Sequence, residues 1–367
     1  MGGIPYNRYR MIIKKVASFT TPLCFLSDGR LLCYHRQNVL VMRGNVVDKK
    51  ISVPVSGKEC VLGWSKALSR LFRFGVRVAD PLDDNHVILC IGNKLCELNI
   101  ASGETTNGWF GGSGIRPLAM TSVEGLNGFA DGVYFGGYLS NREKRPVSIY
   151  HRIGVDQWEV VYTFPQGVIN HIHNIVVDPY RNCLWVFSGD FGDASAIWKV
   201  TDGFGKVERI VYGDQKWRGC VAFAAPEGIL YATDAPFAKN HIYLLKENRS
   251  VTKVADLGGS CIYGCQWKDK YVFSTAVEAD GRKETLLRLI FGWKRGAGIE
   301  NKNVHIYLGN LEEGFNEVYK EKKDLWPFIF QFGAIKFPSG ANNSDTLYFQ
   351  PVATRLNDLR LMEMKGV

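Results

Sequence analysis

No apolar run in the sequence approaches the roughly 18 residues that a membrane-spanning helix needs, so a helical membrane protein is not expected. The opening stretch, MGGIPYNRYRMIIKKVASF, is basic but has no apolar block of signal-peptide length. The expected setting is therefore the cytoplasm, where the Asn248-Arg-Ser250 sequon would be idle. Helical periodicity is nearly missing, and only CVLGWSKALSRLF at 60–72 suggests a short helix. A doubly wound α/β fold is thereby disfavoured, because it needs a helix between successive strands. The cysteines number nine, an odd count, and Cys261 and Cys265 have no second close pair to complete a zinc site. Most cysteines sit in apolar runs and read as buried free thiols.

Other chemistries are missing too. The glycine-rich FGGSGI at 110–115 lacks the Lys-Ser/Thr of a phosphate loop. No Gly-x-Ser-x-Gly elbow supports Ser-His-Asp catalysis. The net charge is +9, but the basic residues are scattered, the densest groups being Lys14-Lys15, Lys49-Lys50 and Lys320, Lys322 and Lys323. With no basic helix, zinc finger or aromatic-basic motif, a nucleic-acid partner is not expected. No cofactor is expected either.

What the sequence does have is a repeat. Seven segments share a turn followed by a β-rich run: SDGRLLCYH, LDDNHVILCIG, ADGVYFGGY, PYRNCLWVFSGD, PEGILYATD, KDKYVFSTA and NSDTLYFQPV. Their turns use Gly, Asp, Asn and Pro, which suit hairpin backbone angles. Their runs use the β-branched and aromatic residues that fill strands. Aligned at Tyr34, Cys90, Gly136, Phe187, Ala232, Ser274 and Gln350, they recur every 42 to 56 residues, except for a last interval of 76. A spacing of about 40–50 residues is that of one four-stranded propeller blade, and FGWKRGAGIENKN at 291–303 is a candidate insertion for the long interval. A second hairpin follows in several repeats, as in SIYHRIGVDQWEVVYTF and AIWKVTDGFGKVERIVY.

The expectation is an all-β, single-domain β-propeller of seven four-stranded blades, with six as the alternative. The blades are placed at about 22–52, 72–106, 116–166, 171–212, 217–256, 262–323 and 329–364. An unpartnered strand at 8–18 and a final strand pattern, DLRLMEMK, would pair to close the ring.

The second-hairpin turns VTDGFGKV and GVDQW, through Asp202, Gly203, Asp156 and Trp158, resemble degenerate Asp-box turns of sialidase-like propellers. The resemblance spans Gly132 to about Pro351 and implies a propeller of the kind labelled glycosyl hydrolase. The Arg-Ile-Pro start of the sialidase arginine triad has no counterpart here. A looser resemblance, resting on architecture and residue types, is to seven-bladed polysaccharide lyases. Together they imply an enzyme that cleaves an acidic glycan or oligosaccharide, by hydrolysis in preference to lyase chemistry. The alternative is a non-catalytic propeller that binds a glycan or a protein partner.

Blade geometry selects candidate residues. The starts of innermost strands and the ends of second strands lie at one mouth of the central channel, where ligand sites concentrate. Innermost-strand starts supply His171, His173, Asn174, Trp217, Arg218, Tyr263 and Gln331; second-strand ends supply His35, Tyr138, Asp190, Asp234, Thr275 and Glu278. Asp190, Asp234 or Glu278 would serve as acid and base in hydrolysis. His173 or Tyr138 would remove the proton in lyase chemistry, with Arg218 neutralising a uronate carboxylate. His35, His171, Asn174, Trp217, Tyr263 and Gln331 would bind substrate, the aromatics by stacking on a sugar ring. Bland readings stand beside these: strand-end caps for the aspartates, a salt bridge from Arg218 to Asp190 or Asp234, and blade filler for the aromatics. His171 and His173, two apart on a strand, could face one metal ion. No third ligand lies next to them in sequence, so no metal is assigned.

Overall fold

A computed structural model of the chain describes residues 11–112, 116–280, 290, 292 and 294–366. Seven antiparallel sheets stand in a ring, and each is a blade. Blade 1 runs outward through Thr20–Phe25, Leu31–His35, Asn38–Arg43 and Val46–Ser52. Blade 2 has Val76–Pro81, His86–Ile91 and Lys94–Asn99, with an outer segment attached through bridges at Thr105 and Trp109. Blade 3 has Met120–Val123, Gly132–Gly136, Val147–Gly154 and Gln157–Phe164. Blade 4 has His171–Asp178, Cys183–Gly189, Ala196–Thr201 and Lys206–Tyr212. Blade 5 has Gly219–Ala225, Gly228–Thr233, Asn240–Leu245 and Val251–Leu257. Blade 6 has Ser260–Trp267, Lys270–Ala276, Asn303–Asn310 and Gly314–Lys322. Blade 7 takes Ala334–Lys336, Thr346–Val352 and Arg360–Gly366 from one end of the sequence and Met11–Ser18 from the other.

That mixed blade closes the ring. Met11–Ser18 pairs antiparallel with Arg360–Gly366, from Met11 opposite Gly366 to Ser18 opposite Arg360. Between blades 7 and 1, Ser339 accepts from Phe25 N at 2.9 Å and donates to Leu23 O at 2.9 Å. The fold is thus an all-β propeller of seven blades.

The burial pattern explains why the repeats read as they do. A blade packs both faces against neighbours, so its second strand is mostly apolar: CLWVFSG, GILYAT and TLYFQPV are buried at every position. The outermost strands are half solvated, as in QWEVVYTF. Seven separate apolar clusters result, one in each gap between adjacent blades. Leu32 and Val41 meet Val87 and Leu98 between blades 1 and 2, for example, and Phe25 and Leu31 meet Tyr348 and Leu361 between blades 1 and 7.

The expected insertion at 291–303 falls in the connection from Lys270–Ala276 to Asn303–Asn310; residues 291 and 293 of it lie outside the described residues, as do 8–10 of the expected first strand and 113–115 of the glycine-rich loop. The described part crosses to blade 5, where Gly298 N donates to Pro236 O at 2.9 Å.

The one helical stretch expected from sequence forms two short helices, Gly57–Leu62 and Lys66–Phe72, capped by the hydroxyls of Ser56 and Ser65. They lie between blades 1 and 2 in sequence; the first is held to blade 1, where Tyr34 Oη donates to Glu59 Oε1 at 2.6 Å, and the second is anchored elsewhere. Arg70, fully buried, donates from Nε to Phe330 O at 2.7 Å and pairs through Nη1 with Asp324 and Asp358. Removing one member of a buried ion network leaves uncompensated charge, which costs about 3–5 kcal/mol. Arg70→Ala is therefore expected to lower the free energy of unfolding by that amount in urea titration. A change below about 1 kcal/mol would mean that the helices are not anchored this way.

Candidate functional site

The first hairpin of blade 4 brings two histidines to an aspartate. His171, the first residue of the innermost strand, pairs in register with Gly189, the last of the second strand, so Asp190 follows directly beside it. A register shift between Ile172 and Asn174 makes His173 the extra residue of a β-bulge. Bulges re-aim a side chain, and here both imidazoles reach one point: His171 Nε2 and His173 Nε2 are 3.0 Å apart. Asp190 Oδ1 lies 3.3 Å from the first and 3.5 Å from the second. The same shift recurs in blade 5 between Gly219 and Val221, where the extra residue is Cys220.

Blade 5 completes the cluster. Arg218 Nη2 is 3.2 Å from Asp190 Oδ1 and 3.3 Å from Asp234 Oδ2, so one guanidinium nitrogen bridges carboxylates of two blades. Cys220 Sγ donates to the same Asp234 oxygen at 3.3 Å. Glu278, just beyond the second strand of blade 6, adds its charge to the field at Arg218. From blade 3, the Tyr138 ring lies over His171 at 4.4 Å between centroids, and the Arg77 guanidinium of blade 2 lies 5.2 Å from the Tyr138 ring.

The electrostatics follow from burial and from three carboxylates sharing one cation. Burial alone would raise Asp190, but hydrogen bonds from His171 and His173 and the charge of Arg218 hold it well below the usual carboxylate range. Burial also dominates at Asp234 and Glu278, with neighbouring carboxylates adding to it, and both are pushed up against the pull of Arg218. Burial among like charges around a single guanidinium favours the protonated forms of Asp234 and Glu278. Burial lowers His173 to about 4. The Cys220 thiol and Tyr138 hydroxyl are pushed up by burial and nearby carboxylates, so both stay protonated.

Several polar atoms here are unsatisfied. Among the described residues, ten buried side-chain nitrogens and oxygens have no close hydrogen-bond partner, and five belong to this cluster: His173 Nδ1, Arg218 Nη1, Asp234 Oδ1, Glu278 Oε2 and Ser260 Oγ, the last two facing each other across a loose contact. Such atoms are rare in folded proteins because each costs about 1–3 kcal/mol. Gathered in one cluster, they point to a polar partner that the protein itself does not supply, although each atom is closed off from solvent.

The other candidates divide. Asn174 and Tyr263 line a channel cavity of about 150 Å³ with Cys220, and Asn174 Nδ2 donates to Cys220 O at 3.1 Å. Gln331 lines a separate cavity of about 70 Å³ beside the helices, with Arg36, Gln350 and Lys336. His35 is bonded through Nδ1 to Thr20 Oγ1 at 3.0 Å on blade 1. Thr275 Oγ1 accepts from His305 N inside blade 6, a structural role. Trp217 is a correction: instead of stacking in the mouth, it is 8% exposed and packs with Phe187, Ile197, Ala222 and Tyr231 between blades 4 and 5. A short helical turn, Gln215–Trp217, rotates it inward just before the strand.

Sequence reading missed three residues. Cys220 looked like any buried thiol because the bulge that turns it is not encoded by residue type. Arg77 carries no motif. Lys336, the last residue of a three-residue innermost strand, has no carboxylate partner among the described residues, and burial with the charges of Arg77 and Arg73 lowers it to about 8. An apolar run followed by one lysine at an innermost strand was the available signal.

No known protein family and no characterised protein matches the sequence. Solved structures match throughout. A chain of a mitotic checkpoint complex is 9% identical over all of this chain and 95% of its own length, with a TM-score of 0.53. The Cps50 (Swd1) β-propeller domain of Myceliophteria thermophila is 8% identical, with 98% of each chain covered and a TM-score of 0.53. The extracellular domain of a putative hybrid two-component system from B. thetaiotaomicron is 8% identical, with a TM-score of 0.55. That match covers 96% of this chain and only 39% of the other. The likeness is one of fold alone. Among the described residues, no helix is long and apolar enough to cross a membrane.

Two measurements test the site's construction. An alanine Cβ at position 189 would lie 2.3 Å from His173 Cε1, so Gly189→Ala is expected to displace the imidazole and lose about 1–3 kcal/mol of stability. An unaltered stability would show that the ring is not held against the hairpin. For Lys336, the folded chain binds fewer protons than the unfolded chain between pH 8 and 10.5, so its penalty is complete below pH 8 and fades above. Lys336→Met should therefore be more stable than the parent below pH 8, with the gap narrowing as pH rises to 10. A gap constant with pH would contradict the assignment.

Proposed function

We propose that the mouth formed by blades 3 to 6 binds and hydrolyses an acidic glycan. The observation that carries this reading is the group of unsatisfied buried atoms on Arg218, Asp234 and Glu278, donor and acceptors that a polyhydroxylated ligand would satisfy. Asp234 and Glu278, both pushed toward their protonated forms, can serve as general acid toward a leaving-group oxygen. The remaining Nη1 of Arg218, with Arg77 against the Tyr138 ring, favours a ligand that carries a carboxylate. Asp156 and Asp202 occupy the turns between third and fourth strands of blades 3 and 4, which is consistent with a sialidase-like ancestry. Hydrolysis is favoured over lyase chemistry because Tyr138 stays protonated and because burial lowers His173 to about 4, which makes it a weak base. A propeller that binds a glycan or a protein without cleaving it is the competing reading, since this fold hosts both.

The test is a panel of acidic oligosaccharides, following reducing ends and the ultraviolet absorbance of unsaturated uronates. New reducing ends without that absorbance are expected. Asp234→Asn and Glu278→Gln should each slow their release about 10²–10⁴-fold. A rise in both signals would assign a lyase, and binding without cleavage would assign a non-catalytic propeller.

A further inference from the structure

We propose that His171, His173 and Asp190 form a binding site for one divalent transition-metal ion. Their three ligand atoms, His171 Nε2, His173 Nε2 and Asp190 Oδ1, form a triangle with sides of 3.0, 3.3 and 3.5 Å. An ion bonded at about 2.0–2.2 Å holds adjacent ligands roughly 3.0–3.5 Å apart, whether its geometry is octahedral or tetrahedral. Two imidazoles and one carboxylate on one face, with the remaining positions open, are the ligand set of zinc and of non-haem iron or manganese sites.

The hydrogen bonding around the triangle supports a cation at its centre. His171 Nδ1 lies 3.0 Å from Leu139 O, a carbonyl that can only accept. The proton of a neutral His171 therefore sits on Nδ1, and its Nε2 lone pair faces the triangle, as second-shell carbonyls arrange for metal-bound histidines. His173 Nε2–H can serve His171 Nε2 or Asp190 Oδ1. Without a proton on His171 Nε2, the third side would set its lone pair against the Asp190 carboxylate at 3.3 Å; the hydrogen bond from His171 to Asp190 needs that proton, and a metal ion would take the proton's place. A cation between them turns all three contacts attractive.

The surroundings fit as well. Arg218 Nη2, bonded to the same carboxylate oxygen, and Asn170 Oδ1, accepting from Asp190 N at 3.1 Å, fix the direction of Asp190. The hairpin register holds His171 beside Gly189, and the bulge aims His173. His171 and His173 are almost fully buried, while the side chain of Asp190 is 27% exposed, which leaves an entry from the mouth. A second grouping, His173 with Cys220 and Asp234, is close enough to compete for an ion. Arg218 Nη2 lies within 3.3 Å of both Asp190 Oδ1 and Asp234 Oδ2, so its charge does not separate the two groupings, and the presence or absence of a thiolate band does.

The experiment uses the full chain, treated with a chelator and dialysed, then titrated with Zn²⁺ by calorimetry and with Co²⁺ by visible absorption. One ion per chain is expected, with a ligand-field band but no thiolate charge-transfer band. His171→Ala and Asp190→Asn should each weaken binding by at least 10–100-fold, while Cys220→Ser leaves it unchanged. Metal-dependent elevation of the melting temperature in the parent, lost in both variants, reads the same site without relying on the variants' absolute stability. Three outcomes would overturn the proposal: no stoichiometric binding, which would leave a proton at the centre; a thiolate band lost in Cys220→Ser; or binding unchanged in His171→Ala. None of these readouts involves a glycan, so the metal site and the proposed hydrolysis fail separately.

Discussion

Ring closure is the constraint on which the rest of this molecule depends. Met11–Ser18 completes the blade that ends with Arg360–Gly366, and without that pairing blade 7 would present an open edge. Closure forces seven innermost strands toward one axis. Each gap between blades is then a separate small core, and no single central core exists. Polar residues at the starts of innermost strands cannot turn into those gaps without meeting apolar side chains. In blades 4 and 5 such residues meet side chains of neighbouring blades that are remote in sequence.

The cluster of blades 3 to 6 shows the price of that convergence. Burying Asp190, Asp234 and Glu278 around a single Arg218 is expensive, because desolvation disfavours every charge and the cation can be shared only so far. The system responds by splitting the carboxylates: Asp190, which also accepts from two histidines, stays ionised, and Asp234 and Glu278 are pushed toward their protonated forms. A purely structural plug would be expected to pair its polar atoms. This one leaves donor and acceptor atoms unmatched, and groups pushed to opposite ionisation states at one mouth are what acid–base chemistry requires.

Much of the architecture was legible in the chain because strand composition and turn chemistry are local properties. The runs LLCYH, CLWVFSG and GILYAT declared themselves as strands buried on both faces, and their spacing declared blades. Asp190 and Asp234 were legible for the same reason, as polar residues ending equivalent runs. What was not legible depends on geometry that residue types do not encode. The bulges at His173 and Cys220 shift alternation by one position and decide which side chains reach the mouth. The turn at Gln215–Trp217 sends Trp217 into a core, although its neighbour Arg218 points to the cluster. The pairing of His173 with Asp190, seventeen positions apart, was legible because they stand at the start and end of one hairpin, whereas the convergence of both imidazoles on one carboxylate oxygen depends on the bulge.

The central claim is that the mouth between blades 3 and 6 holds a polar occupant and is not a self-satisfied structural plug. A crystal structure at a resolution that shows ordered solvent, with an acidic oligosaccharide soaked in, tests this most directly. Density within hydrogen-bonding distance of Arg218 Nη1, Asp234 Oδ1 and Glu278 Oε2 is the predicted result. Those three atoms bonded to other protein groups, with no occupant beside them, would contradict it.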